Sequence, residues 1–435
     1  MKTCVFWFRR DLRIEDNAGL YHALRSGMKV VPVFIYDRNI LDDLDDECDR
    51  RVQFIYDQLR ACNQALQLFG ARMNVYEGEP VEVFEEIIGT YSPQAVFTNN
   101  DYEPYAKERD ARVQQMLERK GIRFQGYKDQ VIFEKNQIVK SDGSPYTVFT
   151  PYAQAWKARL LNSPPLSFDT LAYSNSYLKE APKEIVFPLG FVPCAKPYGV
   201  QVPAITSELL VHYHDNRDFP ALDATTRISV HVRFGTVSIR YLVQQSLQHS
   251  TALLNELIWR EFFMMILWHF PRVVHTSFRR SYDNIRWRNN NGEFERWCKG
   301  TTGYPLVDAG MRELSASGYM HNRVRMVVAS FLCKHLLIDW RWGEAWFAKK
   351  LLDYDLAANN GNWQWAAGSG CDAAPYFRIF NPELQLKKFD PKGVYIRRWL
   401  PEWGTAAYPE PIVPHTVARE RCLQVYRQAL RPETH

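Results

Sequence analysis

The segment Asp353–Trp365, DYDLAANNGNWQW, decides how the rest of this chain is read. Two acids two residues apart, a run of small and amide residues, and two Trp two apart do not make an amphipathic surface helix. Residues i and i+2 do not share a helix face, so in a helix Trp363 and Trp365 point in different directions and serve different ends. Two core Trp are the plain structural alternative, since Trp is highly buried on average.

Two segments upstream repeat the theme of charge set among apolar residues. In LLNELIWREFF, residues 253–263, Glu256, Trp259 and Arg260 fall at i, i+3 and i+4 on one face. The flanking Leu253, Leu254, Leu257, Ile258, Phe262 and Phe263 predict a largely buried helix, where a charge needs a partner. A polar cavity and a structural Glu–Arg pair are equally good readings of that face. In GYMHNRVRMVVASFL, residues 318–332, Asn322, Arg325 and Met326 share a stripe and Arg323 points elsewhere. Such a stripe packs around a neighbouring helix or lines a pocket for a planar heterocycle.

Working outward, the first ~130 residues alternate apolar runs with amphipathic stretches, as an α/β domain with a parallel sheet requires. TCVFWF, VVPVFIY, RMNVYEG, AVFTNN and RFQGYKD are predicted strands, and Arg50–Phe69 and Tyr105–Lys120 predicted helices. Neither GxGxxG nor GxxxxGK is present to mark a nucleotide site there. Residues 131–203, rich in Pro, Ser, Tyr and Lys, are expected to form a connector. From 204 to 435 nearly every segment has helical periodicity, with Ser238 and Asp308 near helix starts.

The 435 residues suit two domains. Thirteen Trp give an aromatic surplus that fits a large core or the stacking of flat ligands. The net charge of +5 divides into −2 over the first 200 residues and +7 over the rest, so the second half is the one expected to meet a polyanion. The eight Cys have no metal-binding spacing and the opening has no secretory pattern, which points to a cytoplasmic protein without metal.

These three segments, together with RDFPALDATTRISVHVRFG (Arg217–Gly235) and the opening FWFRRDLRIEDN, resemble the photolyase–cryptochrome family over essentially the whole chain. Within it the wording is closest to the class I cyclobutane pyrimidine dimer photolyases. The resemblance implies an α/β antenna domain followed by an all-α domain that binds FAD and ultraviolet-damaged DNA. It also implies light-driven repair by electron transfer from excited reduced FAD to a flipped-out dimer. A monomer without obligate protein partner or membrane contact is expected.

Residue by residue, Thr225, Thr226, Arg227, Ile228 and Ser229 match the helix start that holds the FAD phosphates, a place suited to anions. Tyr213, Arg260 and Tyr354 match further FAD contacts. Arg325 and Asp353 match a pair beside the isoalloxazine, Asp355 a contact to its polar edge, and Asn359 the residue facing its N5. Glu256 and Asn322 match groups that hydrogen-bond the dimer, Trp259 and Trp365 its aromatic walls, and Met326 its apolar contact. Arg217, Arg323 and Gln385 match positions near the DNA strand. Arg279, Arg280, Lys387, Lys388, Arg397 and Arg398 are further phosphate candidates from charge alone. Trp363, Trp340 and Trp287 match an electron chain from flavin to surface.

The family's first domain usually holds a second, light-harvesting chromophore, methenyltetrahydrofolate or deazaflavin among the options. Asn100, Asp101 and Glu103 lie in the segment that resembles a folate contact, although Asp101 is shorter than the Glu favoured there and Val273–Val274 replace a Cys–Lys pair. Two rival activities share the fold. A cryptochrome light receptor is disfavoured by the complete set of substrate-facing residues, and six-four photoproduct repair by Asn322 and Met326 where His is typical.

Overall fold

The computed structural model describes residues 2–195, 198–199 and 201–430. Every predicted strand forms: β1 Thr3–Phe8, β2 Lys29–Asp37, β3 Asn74–Gly78, β4 Ala95–Asn99 and β5 Arg123–Tyr127. They pair in parallel in the order β3-β2-β1-β4-β5. The chain reverses its winding between β1 and β4, and the carboxyl ends of strands at such a reversal form a crevice. After Thr3, β1 is apolar because parallel strands are covered on both faces, and those five residues are buried. The two predicted helices appear as Arg50–Gln67 and Pro104–Arg119.

Two compact units emerge. The first comprises Met1–Gln137, Trp156–Ala204 and Arg227–Gln248; the second comprises Ile138–Ala155, Ile205–Thr226 and His249–His435. Residues 131–203 are therefore more than a connector. They include a 14-residue helix, Phe149–Asn162, in which Tyr152, Trp156 and Leu160 are buried at i, i+4 and i+8. That spacing is a helical signal, masked in the sequence by the surrounding prolines. Arg227–Gln248, expected with the helical half, groups with the sheet.

The second unit is helical, and its main core gathers around Trp297, Trp340 and Trp363. Two glycines make its helices fit. A Cβ on Gly343 would come within 2.1 Å of the Trp363 indole, and one on Gly361 within 2.2 Å of the Phe263 ring. Asp308 lies in the first turn of the helix Pro305–Ser317, where its carboxylate accepts hydrogen bonds from the N–H groups of Thr302 and Gly303 and the hydroxyls of Thr302 and Tyr408. Ser238 takes the Arg240 N–H at the start of Ile239–His249. Among the described residues, no helix is long and apolar enough to cross a membrane.

Candidate active site and cofactor pocket

Three helices of the second unit position the site. Thr251–His269, capped by the Ser250 hydroxyl, is apolar on nearly every side, which is why it is buried. Glu256, Trp259 and Arg260 form its half-buried face. Glu256 accepts a hydrogen bond from the Tyr213 hydroxyl (2.6 Å) and an ion pair from Arg217. Burial pushes its carboxyl up, Tyr213 and Arg217 pull it back, and the net result lies above the ordinary carboxylate range. Tyr213 and Arg217, expected to face FAD and DNA, are thus also the partners that fix Glu256.

The second helix, Asn322–Ser330, is capped by His321, whose Nδ1 takes the Arg323 N–H. Arg325 makes a forked pair with Asp353 through Nη2 (3.1 and 2.9 Å) and donates from Nε to the Met320 carbonyl. Arg323 pairs with Asp218 at 2.6 Å over the Phe389 ring, and its Nη1 also reaches the Met326 sulfur of the stripe at 3.8 Å.

The third helix is Leu356–Ala367, the heart of the opening motif. Asp355 caps it by accepting from the Ala358 N–H (3.1 Å), so a residue expected to face the flavin edge also starts the helix. Asn359 donates from Nδ2 to the Glu344 carbonyl oxygen at 3.1 Å. Trp363 is 2 % exposed and packs edge-on against Trp297 and Phe347, whereas Trp365 is half-buried. Their i, i+2 spacing sets one ring in the core and leaves the other half-buried, and both still reach the same recess.

Asn322, Arg325, Met326, Asp353, Tyr354, Asp355, Asn359, Trp363 and Trp365 line one recess of about 610 Å³, measured with its open mouth. A lining of a guanidinium–carboxylate pair, an amide and indoles suits a planar ring system. Trp340 lies in the same buried cluster as Trp363, and Trp287 packs at its edge. Thr225 and Thr226 group with this unit, Arg227, Ile228 and Ser229 with the other; Arg227 has φ 48° and Ser229 opens the short helix Ser229–Arg233.

Three residues escaped the sequence reading. Glu344 is half-buried next to Asn359, and burial pushes its carboxyl up to about 7 against a smaller opposing pull from Asn359. Trp297 is fully buried against Trp363. Phe149 stacks on Trp259. Only the Trp297 indole carried a signal, the aromatic surplus.

The exposed cations Arg279, Arg280, Lys387, Lys388, Arg397 and Arg398 lie in this unit. Gln385, on Pro382–Phe389, has a buried Oε1 without a hydrogen-bond partner. In the sheet unit, Asn100, Asp101 and Glu103 follow the carboxyl end of β4, beside the reversal point. Arg10 pairs with Asp101 (3.4 Å) and Glu103 (2.7 Å), and Asn100 donates to Glu134. Burial would raise the Asp101 carboxyl, but Arg10, Arg9 and Arg109 hold it below its ordinary value.

A parallel-sheet unit together with a helical unit that carries this recess defines a two-part flavoprotein of the photolyase type. Residues 4–169 match the DNA photolyase family and residues 253–406 the FAD binding domain of DNA photolyase. The chain is 36% identical to the deoxyribodipyrimidine photo-lyases of Synechococcus sp. (98% of this chain, 96% of that one) and Escherichia coli (99% of each). Similar solved structures include a class III photolyase from Agrobacterium tumefaciens (33% identity, TM-score 0.83, 99% and 98% coverage). An archaeal photolyase from Sulfolobus tokodaii with two FAD molecules (32%, 0.80, 98% and 100%) is also similar. The chain belongs to the photolyase/cryptochrome family, and its function is that of a DNA photolyase with FAD as cofactor.

Proposed function

We propose that this enzyme restores cyclobutane pyrimidine dimers in ultraviolet-damaged DNA, acting as a cytoplasmic monomer on the class I pattern. The observation that carries the reading is the convergence of Arg325–Asp353, Asn359 and the two Trp of the opening motif on one recess. FAD bound there in its fully reduced form supplies the light-excited electron that opens the cyclobutane ring and then returns.

The chain's own residues do the rest. Arg325, held by Asp353 and the Met320 carbonyl, fixes a positive charge and its carboxylate partner beside the flavin ring. Asn359 presents an uncharged amide held by the Glu344 carbonyl oxygen, and burial disfavours a negative charge on the Glu344 carboxyl next to it. Glu256, with its carboxyl raised, can hold a proton and donate it as a hydrogen bond to the dimer. Asn322 and Met326 add polar and apolar contacts, and Trp259 and Trp365 wall the flipped bases. Extrusion of a dimer is cheaper than that of a normal pair because it stacks poorly, a behaviour for which photolyases are a standard example. Trp363, Trp340 and Trp287 carry electrons inward when the flavin is oxidised. Arg217, Arg323, Gln385 and the exposed cations hold the strand.

A second subclass, class III, is favoured by the likeness to the Agrobacterium enzyme. A second chromophore, folate, deazaflavin or a further flavin, is proposed for the sheet unit near Asn100, Asp101 and Glu103. The two FAD molecules of the Sulfolobus enzyme support this. Purified protein carrying reduced flavin should restore thymine dimers under blue or near-ultraviolet light and not in the dark. Its spectrum before and after illumination reports flavin and antenna together. A flavin-loaded, reduced protein that repairs nothing would transfer the reading to a cryptochrome.

A further inference from the structure

We infer that Phe149 is a positioning residue for lesion recognition, acting through Trp259; this rests on the proposed role of Trp259 as a wall of the dimer site. The Phe149 and Trp259 rings lie 3.7 Å apart at 4°, nearly perfectly face to face. Aromatic pairs left to themselves prefer offset or edge-to-face packing at longer separations, because their like-signed faces repel. The face-on geometry is therefore imposed by the surroundings.

The surroundings that impose it are on both sides. Phe149 opens the helix Phe149–Asn162, where backbone N–H groups lack helical partners. Its own N–H donates to the Asp372 carboxylate at 2.8 Å, so its backbone is tethered to the loop that follows the opening motif. Trp259 is held in turn by Phe262, edge-on at 5.6 Å, and by Phe263 at 5.4 Å. One face of the indole is thus covered by a tethered ring, and two more rings pack against it. The indole remains half-buried rather than enclosed, so part of its surface is left open. A plate for a flipped dimer must not rotate, since each rotamer lost on binding weakens affinity.

The test measures dark binding of the flavin-loaded enzyme to duplexes with and without one thymine dimer, by fluorescence anisotropy. Phe149→Leu keeps apolar bulk but abolishes the stack. It should weaken damaged-DNA binding by about two- to ten-fold, the worth of one aromatic pair. Undamaged-DNA binding, flavin content and melting temperature should stay at the parent values, and Phe149→Tyr should restore damage recognition. Asp372→Ala, which releases the tether without touching either ring, should cause a smaller selective loss. Equal weakening on both duplexes, or no weakening in either F149L or D372A, overturns the inference. Trp259→Leu separates the two layers of the reading. If W259L loses damage recognition while F149L keeps it, only the Phe149 role falls; if W259L also keeps it, the lesion-wall role falls with it.

Discussion

Replacing Glu344 with Gln should stabilise the protein, and increasingly so as the pH rises. Glu344 follows Gly343 on the helix Trp340–Lys350, which Trp363 approaches too closely for any larger residue at 343. Burial there pushes the carboxyl from an ordinary 4.5 up to about 7. A carboxyl whose folded pKa exceeds its unfolded one favours the folded state most at low pH, and that advantage is lost as pH rises through the folded value. At 1.36 kcal/mol per pKa unit, the buried charge costs about 1 kcal/mol at pH 5 and roughly 3 kcal/mol at pH 8. Gln has the same shape and no charge to bury, so the stability gap between E344Q and the parent should open by about 2 kcal/mol over that range. Urea denaturation of the flavin-loaded proteins, followed by Trp fluorescence from pH 5 to 8, measures it. A gap that stays flat with pH would refute the burial of this carboxyl as the cause.

Asp353→Asn breaks the fork to Arg325 and leaves a largely buried guanidinium short of its counter-charge, at a cost of about 3 kcal/mol. Lower flavin retention on gel filtration and a lower urea midpoint should follow. Trp363→Phe should slow light-driven reduction of the oxidised flavin while leaving repair intact once the flavin is reduced chemically; equal loss of both contradicts the electron-path role. Lys387→Glu with Lys388→Glu should weaken damaged and undamaged DNA alike, with the salt dependence of binding reduced by about two counterions.

The sequence by itself determined the two-part fold class and named nine residues that line one recess. Apolar runs marked β1, β2 and β4 because central parallel strands are buried on both faces, a demand written locally, whereas the edge strands β3 and β5 are only partly buried. The i, i+3, i+4 spacing put Asn322, Arg325 and Met326 on one stripe, and i, i+2 spacing set Trp363 in the core while Trp365 stays half-buried, because helix geometry depends on the backbone alone. Tertiary structure decided what those residues touch. Nothing near Glu256 in sequence announces Tyr213 and Arg217, about forty positions upstream. Nothing near Trp259 announces Phe149, which reaches it from a stretch expected to be mere connector. Glu344 reads as an ordinary surface acid until neighbouring helices remove its water. Partners and desolvation are properties of elements brought together, and no local pattern records them.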